Sequence, residues 1–294
     1  MYEEHFNFTR QPFQLSPYSD VFYASNGHQK AYSYLEFGIG KREGFIVITG
    51  DVGAGKTTLI EHLLANIEDE NLITARLSAS QFSSSEILTI VADSLGVGNI
   101  EDSKAHVSLA INQYLKECAE KGKHILIIVD EAQNIPLDSL EELRMITNYH
   151  HKGITPVQIF LLGQPEFRDT LNSHNLEQLR QRVVARYHLG PLNEDEVGEY
   201  INYRLDIVRV DQLPQSIFNS EVFPAIYKFS GGIPRIINTI CDRALISAYL
   251  EDQSHIDTSI IYDVLQELQN EKGPTTSGSA ANYEPIVEDV DFLI

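Results

Sequence analysis

The chain has 294 residues, of which 43% are apolar, so it is long enough to bury the cores of one or two domains. Its net charge of −20 argues against unaided, non-specific binding to DNA or to an anionic membrane, because both require a cationic face. The sequence shows neither a signal peptide nor an apolar run near the ~18 residues of a spanning helix, and we therefore expect a cytoplasmic protein.

Residues 1–43 form a lead-in that is rich in aromatic side chains. Pro12 and Pro17 exclude a long helix in its first part, because proline removes a backbone donor and clashes with the preceding turn. We expect this aromatic segment to be a strap packed on the main domain. A helical pattern from about residue 27 to 39 follows it.

The segment at 50–57, GDVGAGKT, matches the phosphate-binding pattern G-x-x-x-x-G-K-[ST]. A strand pattern precedes it and a helical pattern follows it, as such a loop requires. Glycines let the loop curl until its backbone N–H groups point at phosphate oxygens. A glycine-rich turn that fits by accident is the alternative, and the correct flanks make it rare. The expected binding residues are Gly50, Asp51, Val52, Gly53, Ala54, Gly55, Lys56, Thr57 and Thr58.

Two side chains of this loop have a specific chemical role. Lys56 supplies a mobile positive charge for the β- and γ-phosphates, and the Thr57 hydroxyl can ligate Mg²⁺. The sequence therefore predicts ATP and Mg²⁺ as the bound groups. Val21, Phe22 and Tyr23, ahead of the loop, are candidates to contact adenine, and plain core aromatics are the alternative.

The run ILIIV at 125–129 is a continuous apolar strand that ends in Asp130 and Glu131. At the carboxyl end of a parallel strand, these acids share a rim with the phosphate-binding loop. Asp130 is placed to hold Mg²⁺ through water, and Glu131 to polarise the attacking water. Two solvent-facing acids at a strand end are the alternative.

Gln164 follows the next strand pattern, and the strand order of such folds can place it between the loop and the acids. There it could hold the attacking water or the γ-phosphate, and a capping or surface glutamine is the alternative. Farther along, Arg180, Arg182 and Arg186 cluster where a helix gives way to a strand. Arg182 is the best candidate for an arginine finger in a neighbouring subunit's site. Partner or nucleic-acid contact and ordinary ion pairing are the alternatives.

Strand patterns alternate with helical patterns over residues 44–190, which predicts a parallel α/β sheet with right-handed crossovers. In the helix expected at 103–120, Leu109 is assigned to the buried side. Residues 191–270 show only helical patterns and are interpreted as a separate lid. Residues 271–294 are small, polar and acidic, which is typical of a flexible tail or a short docking peptide. The expected strands lie at 45–48, 72–77, 125–129, 156–162 and 183–189.

The segment SGGIPR at 230–235 opens a helix of this lid. Its glycines permit a tight turn, and Pro234 suits the first helical turn. Arg235 then projects from a fixed helix start. If the lid folds over the nucleotide, Arg235 can touch the γ-phosphate, and a helix-surface arginine is the alternative.

Together these motifs resemble AAA+ ATPases of the general secretion pathway protein A type, which have relatives at MSHA-pilus and exosortase loci. The resemblance covers about residues 1–270. It implies a P-loop NTPase sheet flanked by helices and followed by a small all-helical AAA+ lid. The motifs that carry it are GDVGAGKTT at 50–58, VDEAQN at 129–134, GQPE at 163–166, LRQR at 179–182 and GIPRIIN at 232–238.

The resemblance also implies roles for single residues. Asp130 and Glu131 become Walker B acids, Gln164 a sensor-1 position, Arg182 a finger and Arg235 a sensor-2 arginine. Such sites lie between subunits, so the resemblance implies self-assembly into a ring or another oligomer. Secretion members carry a membrane span and a peptidoglycan-binding domain after the ATPase. Neither is visible here, so we expect pilus or exopolysaccharide-locus relatives to fit better.

The leading interpretation is an ATP-hydrolysing protein whose nucleotide-controlled oligomerisation drives assembly of a bacterial envelope machine, such as a pilus, secretion or polysaccharide-export apparatus. Its expected partners are other copies of itself and an envelope-assembly protein, through which it would be peripheral at the inner membrane. The alternative is a DNA-associated AAA+ regulator of the transposition-target type, which the net charge of −20 disfavours. A non-hydrolysing nucleotide sensor is disfavoured because Glu131 is present.

Overall fold

The computed structural model describes residues 2–14, 21–78, 86–97, 103–210 and 216–271. Within these ranges, five parallel strands form one sheet in the order β2-β3-β4-β1-β5. This order places the fourth strand of the chain between the first and the third. The strands are β1 (Phe45–Gly50), β2 (Leu72–Ser78), β3 (His124–Asp130), β4 (Val157–Gly163) and β5 (Val183–Leu189).

The described helices surround this sheet and continue after it. Short 3₁₀ turns lie at Ala132–Asn134, His174–Leu176 and Ser220–Val222. The α-helices are α1 (Tyr2–His5), α2 (Asn26–Lys41), α3 (Lys56–Ala65), α4 (Ile87–Ser94), α5 (Lys104–Glu120), α6 (Leu137–Thr147), α7 (Phe167–Asn172), α8 (Glu177–Arg180), α9 (Glu194–Asp206), α10 (Phe223–Ser230), α11 (Pro234–Leu250) and α12 (Thr258–Glu271).

The central strands are buried on both faces, which explains their continuous apolar sequences. In β3, Ile125 and Ile127 pack with α4, α5 and α6, whereas Leu126 and Ile128 pack with α2 and α3 on the other face. A parallel sheet with helices on both faces confirms the predicted fold class. None of the described helices combines the length and apolar content that a membrane crossing needs.

Helix α5 corrects one prediction. Leu109 was expected on its buried side but is 67% exposed. The buried side instead passes through Val107, Ile111 and Leu115, which are four residues apart and share one face. Leu109 lies two residues from Val107 and therefore points to the opposite side of the helix.

Helices α9 to α12 share a second hydrophobic core with the aromatic lead-in. Tyr2, Phe6, Phe8 and Phe13 are buried in this cluster, so the prediction that the strap covers the main domain was wrong for them. These rings cover apolar faces of the four helices. The Tyr2 hydroxyl donates to Asp242 of α11 at 2.6 Å, which fixes the strap to the helical part.

The predicted domain boundaries stay predictions. The sheet ends at Leu189, and the described residues that follow form helices rather than sheet strands. Glu271, which was assigned to the tail, is the last residue of α12. The rest of the predicted tail, residues 272–294, lies outside the described residues.

Candidate nucleotide site

The loop between β1 and α3 depends on two glycines. Gly53 and Gly55 have φ values of 84° and 96°, in the left-handed region that glycine adopts without steric cost. A Cβ on Gly55 would lie 2.8 Å from Nε2 of His28, and a Cβ on Gly53 would lie 2.3 Å from Cβ of Arg235. Both glycines therefore permit the turn and also the close approach of a neighbouring segment.

Lys56 and Thr57 begin α3 and connect the loop to the acidic strand. The Lys56 ammonium donates to the carbonyl oxygens of Gly50 at 2.7 Å and Asp51 at 3.0 Å. Burial lowers the pKa of Lys56, and the nearby acids Glu131 and Asp130 oppose this shift. The Thr57 hydroxyl donates to Oδ2 of Asp130 at 2.9 Å, which brings two predicted Mg²⁺ ligands together.

Asp130 and Glu131 lie at the carboxyl end of β3, as predicted. The Glu131 backbone has a φ of 55°, which is uncommon for a residue other than glycine, and its N–H donates to Oδ1 of Asp130 at 2.8 Å. Oε2 of Glu131 accepts hydrogen bonds from the side-chain amides of Gln133 and Gln164. The carboxylate that was predicted to polarise water is thus held by two amide donors.

Gln164 directly follows β4, which lies between β1 and β3. This strand order places it between the loop and the acids, where its amide nitrogen lies 3.2 Å from Oε2 of Glu131. Gln133 is a neighbour that the sequence analysis missed. Its position two residues after Glu131 in DEAQN was the available signal, but the motif alone does not say which way the side chain points.

The loop forms one wall of a cleft of about 430 Å³. The adenine candidates Val21, Phe22 and Tyr23 line it, together with groups from α9 and α11. Sequence reasoning missed the contributions from α9, because the motif search contained no signal for them. The lining residues from these two helices are Tyr200, Arg204, Pro234, Arg235 and Asn238.

Helix α11 touches the loop directly. The Arg235 backbone N–H donates to the Gly53 carbonyl oxygen at 3.2 Å, and the exposed Arg235 side chain lines the cleft. Pro234 occupies the first turn of α11, where its missing N–H costs no helical hydrogen bond. The first turn of α11 therefore lies against the loop.

The segment that carries the adenine candidates is held from both sides of the cleft. The Tyr203 hydroxyl donates to the Phe22 carbonyl at 2.8 Å, and the Tyr23 hydroxyl donates to Glu199 at 2.6 Å. The Phe22 ring stacks on His62 of α3, with ring centroids 4.1 Å apart. This segment thus connects α9 to α3.

The clustered arginines lie elsewhere. The Arg182 carbonyl accepts from the N–H of Phe45, the first residue of β1, and its guanidinium donates to the Thr147 carbonyl at 3.2 Å. The loop follows the other end of β1, roughly 17 Å away for a strand of this length. Arg180 donates to the Asn172 carbonyl at 3.3 Å, and Arg186 lies on β5. None of the three lines the cleft of its own chain.

A family model described as AAA domain matches residues 39–171. General secretion pathway protein A of Aeromonas hydrophila is 36% identical over 250 residues, which cover 85% of this chain and 45% of that protein. The chain therefore contains an AAA domain and resembles the general secretion pathway protein A type.

Two further proteins are similar to this chain. Mu-like prophage FluMu DNA transposition protein B of Haemophilus influenzae (strain ATCC 51907 / DSM 11121 / KW20 / Rd) is 36% identical over 99 residues, or 34% of this chain and 32% of that protein. The matched regions cover less than half the length of either curated relative. The crystal structure of Cdc6p from Pyrobaculum aerophilum superimposes with a TM-score of 0.71 at 15% identity, covering 87% of this chain and 70% of that one, which supports the fold alone.

The residues of this chain fit a nucleotide with Mg²⁺. An AAA domain implies nucleotide binding and hydrolysis. Thr57 and Asp130 offer the hard oxygen ligands that Mg²⁺ prefers, and they already lie in contact. When bound with ATP, Mg²⁺ neutralises charge on the β- and γ-phosphates.

Proposed function

We propose that this chain hydrolyses ATP to ADP and phosphate in the cleft between the loop and α11. The observation that carries the proposal is the Thr57–Asp130 contact, with the backbone N–H of Glu131 bound to the same Asp130 carboxylate. A phosphate grip, a pair of metal ligands and a carboxylate thus share one rim of the sheet. These are the parts that ATP hydrolysis by a P-loop protein uses.

Each side chain has a separate task in this proposal. The loop N–H groups and Lys56 bind the phosphates, and Thr57 with Asp130 would hold Mg²⁺. Glu131 accepts a proton from the attacking water. At the same time the water oxygen bonds to the γ-phosphorus, and the bond between the γ-phosphorus and the bridging oxygen breaks, which releases ADP. Gln164 orients this water or the γ-phosphate. Arg235 contacts the γ-phosphate from the lid.

The finer proposal is that ATP controls self-association and that this association drives assembly of a bacterial envelope machine. Similarity to general secretion pathway protein A over 85% of the chain supports this role. We also propose a place at the inner membrane, reached through an envelope-assembly partner. Arg182 lies at the end of β1 opposite the loop and does not line the cleft of its own chain, so a finger role for it would require the cleft of a neighbour.

Mixing two inactive variants tests the shared site. Lys56→Ala removes the phosphate grip, and Arg182→Ala removes the proposed finger. Co-assembled subunits form some interfaces with an intact loop from one variant and an intact arginine from the other, so hydrolysis should recover in the mixture. Arg42→Ala, which removes an exposed pair with Asp69, is the control for loss of a surface arginine. Mixed oligomers without recovered hydrolysis would show that Arg182 does not act in trans.

A DNA-associated regulator of the transposition-target type is the second candidate. The specific observation for it is the 36% identity over 99 residues to the transposition protein of Haemophilus influenzae. Duplex DNA binding with ATP, measured over a range of salt concentrations, separates the two candidates. The assembly role predicts weak binding that ATP does not change. Tight, ATP-dependent binding to duplex DNA would contradict the assembly role and support the DNA-associated regulator.

A further inference from the structure

Gln133 is a polar side chain that the proposed mechanism leaves without a task. It lies in the 3₁₀ turn Ala132–Asn134, directly after the acidic end of β3, and is half-buried. Its amide nitrogen donates to Oε2 of Glu131. Its amide oxygen accepts a hydrogen bond of 2.9 Å from the backbone N–H of Gln164. One side chain therefore bridges the ends of two neighbouring strands.

The orientation of this amide is fixed by its partners. A backbone N–H can only donate, so the atom that faces Gln164 must be the amide oxygen. The nitrogen of Gln133 then faces the Glu131 carboxylate, which can only accept when ionised. The anchor is rigid, because Gln164 immediately follows β4, whose residues are all buried.

The two amides select one oxygen of the Glu131 carboxylate. Gln133 and Gln164 both donate to Oε2, and within the described part of the chain no residue donates to Oε1. Oε1 is thus the oxygen left to accept a proton from water. The two glutamines differ in their freedom: Gln164 donates through a side chain that could turn to a phosphate, whereas Gln133 is also fixed through its oxygen.

We propose that Gln133 is a positioning residue that holds the Glu131 carboxylate with Oε1 directed at the attacking water. This inference rests on the proposed ATP hydrolysis. Because Gln133 is anchored on the backbone of Gln164, the Gln164 side chain can leave Glu131 for the γ-phosphate while the carboxylate stays in place. The bridge thereby separates positioning the base from contacting the phosphate.

Gln133→Met tests the bridge, because methionine has a similar length and shape but neither an amide donor nor an amide acceptor. We expect kcat for ATP to fall roughly ten- to hundredfold, as a misplaced catalytic group costs in general, while KM and the affinity for ATP change less than about twofold. Asn134→Ala, at an exposed position of the same turn, is the matched control and should leave both constants unchanged. Gln133→Asn, whose amide is too short to bridge, gives the same result if Gln133→Met does not fold.

A double variant provides the second readout. If Gln133 acts through the Glu131 carboxylate, Gln133→Met and Glu131→Gln should be non-additive in kcat, whereas two independent structural losses would multiply. An unchanged kcat in Gln133→Met, or a fall in kcat matched by lost ATP affinity, overturns the inference and leaves the ATPase proposal standing. Absence of hydrolysis in the unchanged chain would overturn both.

Discussion

The backbone N–H of Arg235 donates a 3.2 Å hydrogen bond to the carbonyl oxygen of Gly53, and a Cβ on Gly53 would lie only 2.3 Å from the Cβ of Arg235. A helix of the C-terminal part thus touches the loop that is proposed to grip phosphate. Because the loop bends to hold phosphate, its conformation and the position of α11 depend on each other. This contact connects α11 directly to the loop.

Gly53→Ala should disrupt this contact. The positive φ alone costs about 1–2 kcal/mol, and the new Cβ would also lie 2.3 Å from that of Arg235, so α11 must move away. Gly96→Ala is the control, because Gly96 has a φ of 73° with open space around it. Urea unfolding should show a greater loss of stability in Gly53→Ala, together with weaker ATP binding. Equal losses in the two variants would show that α11 is not held against the loop.

Thr57→Val should abolish Mg²⁺-dependent hydrolysis. Valine keeps the shape of threonine but removes the hydroxyl that contacts Asp130 and would ligate the metal. Thr57→Ser retains the hydroxyl and should recover most of the activity. The rate is measured as a function of Mg²⁺ concentration. A Thr57→Val variant with the Mg²⁺ dependence of the unchanged chain would exclude the hydroxyl as a ligand.

Phe22→Ala should weaken ATP binding by roughly tenfold or more, because base–aromatic contacts contribute about 1–3 kcal/mol each. Tripolyphosphate binding should be unchanged, since it has no base. Phe37→Ala on α2, where the ring is 59% exposed, controls for the loss of an aromatic side chain. Calorimetry with both ligands distinguishes base contact from plain packing. Equal loss for ATP and tripolyphosphate would assign Phe22 to the core alone.

His28 should make stability depend on pH. Burial against the loop lowers its pKa to about 4, and contacts with Ala54 and Glu196 oppose this shift only in part. The folded-state pKa lies below the unfolded value of about 6.5, so the unfolded chain binds more protons between these values. Stability should therefore be complete above about pH 6.5 and fall by up to roughly 3 kcal/mol as pH drops toward 4.

Urea unfolding across this pH window checks the effect. His28→Gln should reduce the dependence of the free energy of unfolding on pH. Part of this dependence should remain, because burial also lowers the pKa of His124 to about 4. His174→Gln, at an exposed position, is the control and should leave the pH dependence of stability unchanged. A pH dependence of stability in His28→Gln equal to that of the unchanged chain would mean that His28 binds its proton over the same pH range in the folded and unfolded states.

Sequence patterns predicted the sheet well because its central strands are buried on both faces. Such strands must be apolar throughout, as in Ile125 to Val129, and this signal is local. The loop at 50–57 could also be predicted from the sequence, since its glycines and Lys56 lie within one short segment. Strand order then placed Gln164 beside Glu131, as expected from the general topology of such folds.

The remaining features depend on contacts between distant segments. Tyr2 and Phe6 pack on helices about 200 residues later in the chain, and aromatic content alone does not say which surface they cover. Leu109 shows that an apolar side chain on a helix is not always buried. The bridge through Gln133 requires the register of β3 against β4, which no local pattern specifies.

The central claim is that Glu131 acts on the attacking water in this cleft. Glu131→Gln keeps the shape of the side chain but removes its ability to accept a proton, and Glu117→Gln, exposed on α5, is the matched control. Steady-state ATP hydrolysis should fall by about a hundredfold or more in Glu131→Gln, with ATP affinity retained. A hydrolysis rate in Glu131→Gln equal to that of the unchanged chain would contradict the mechanism.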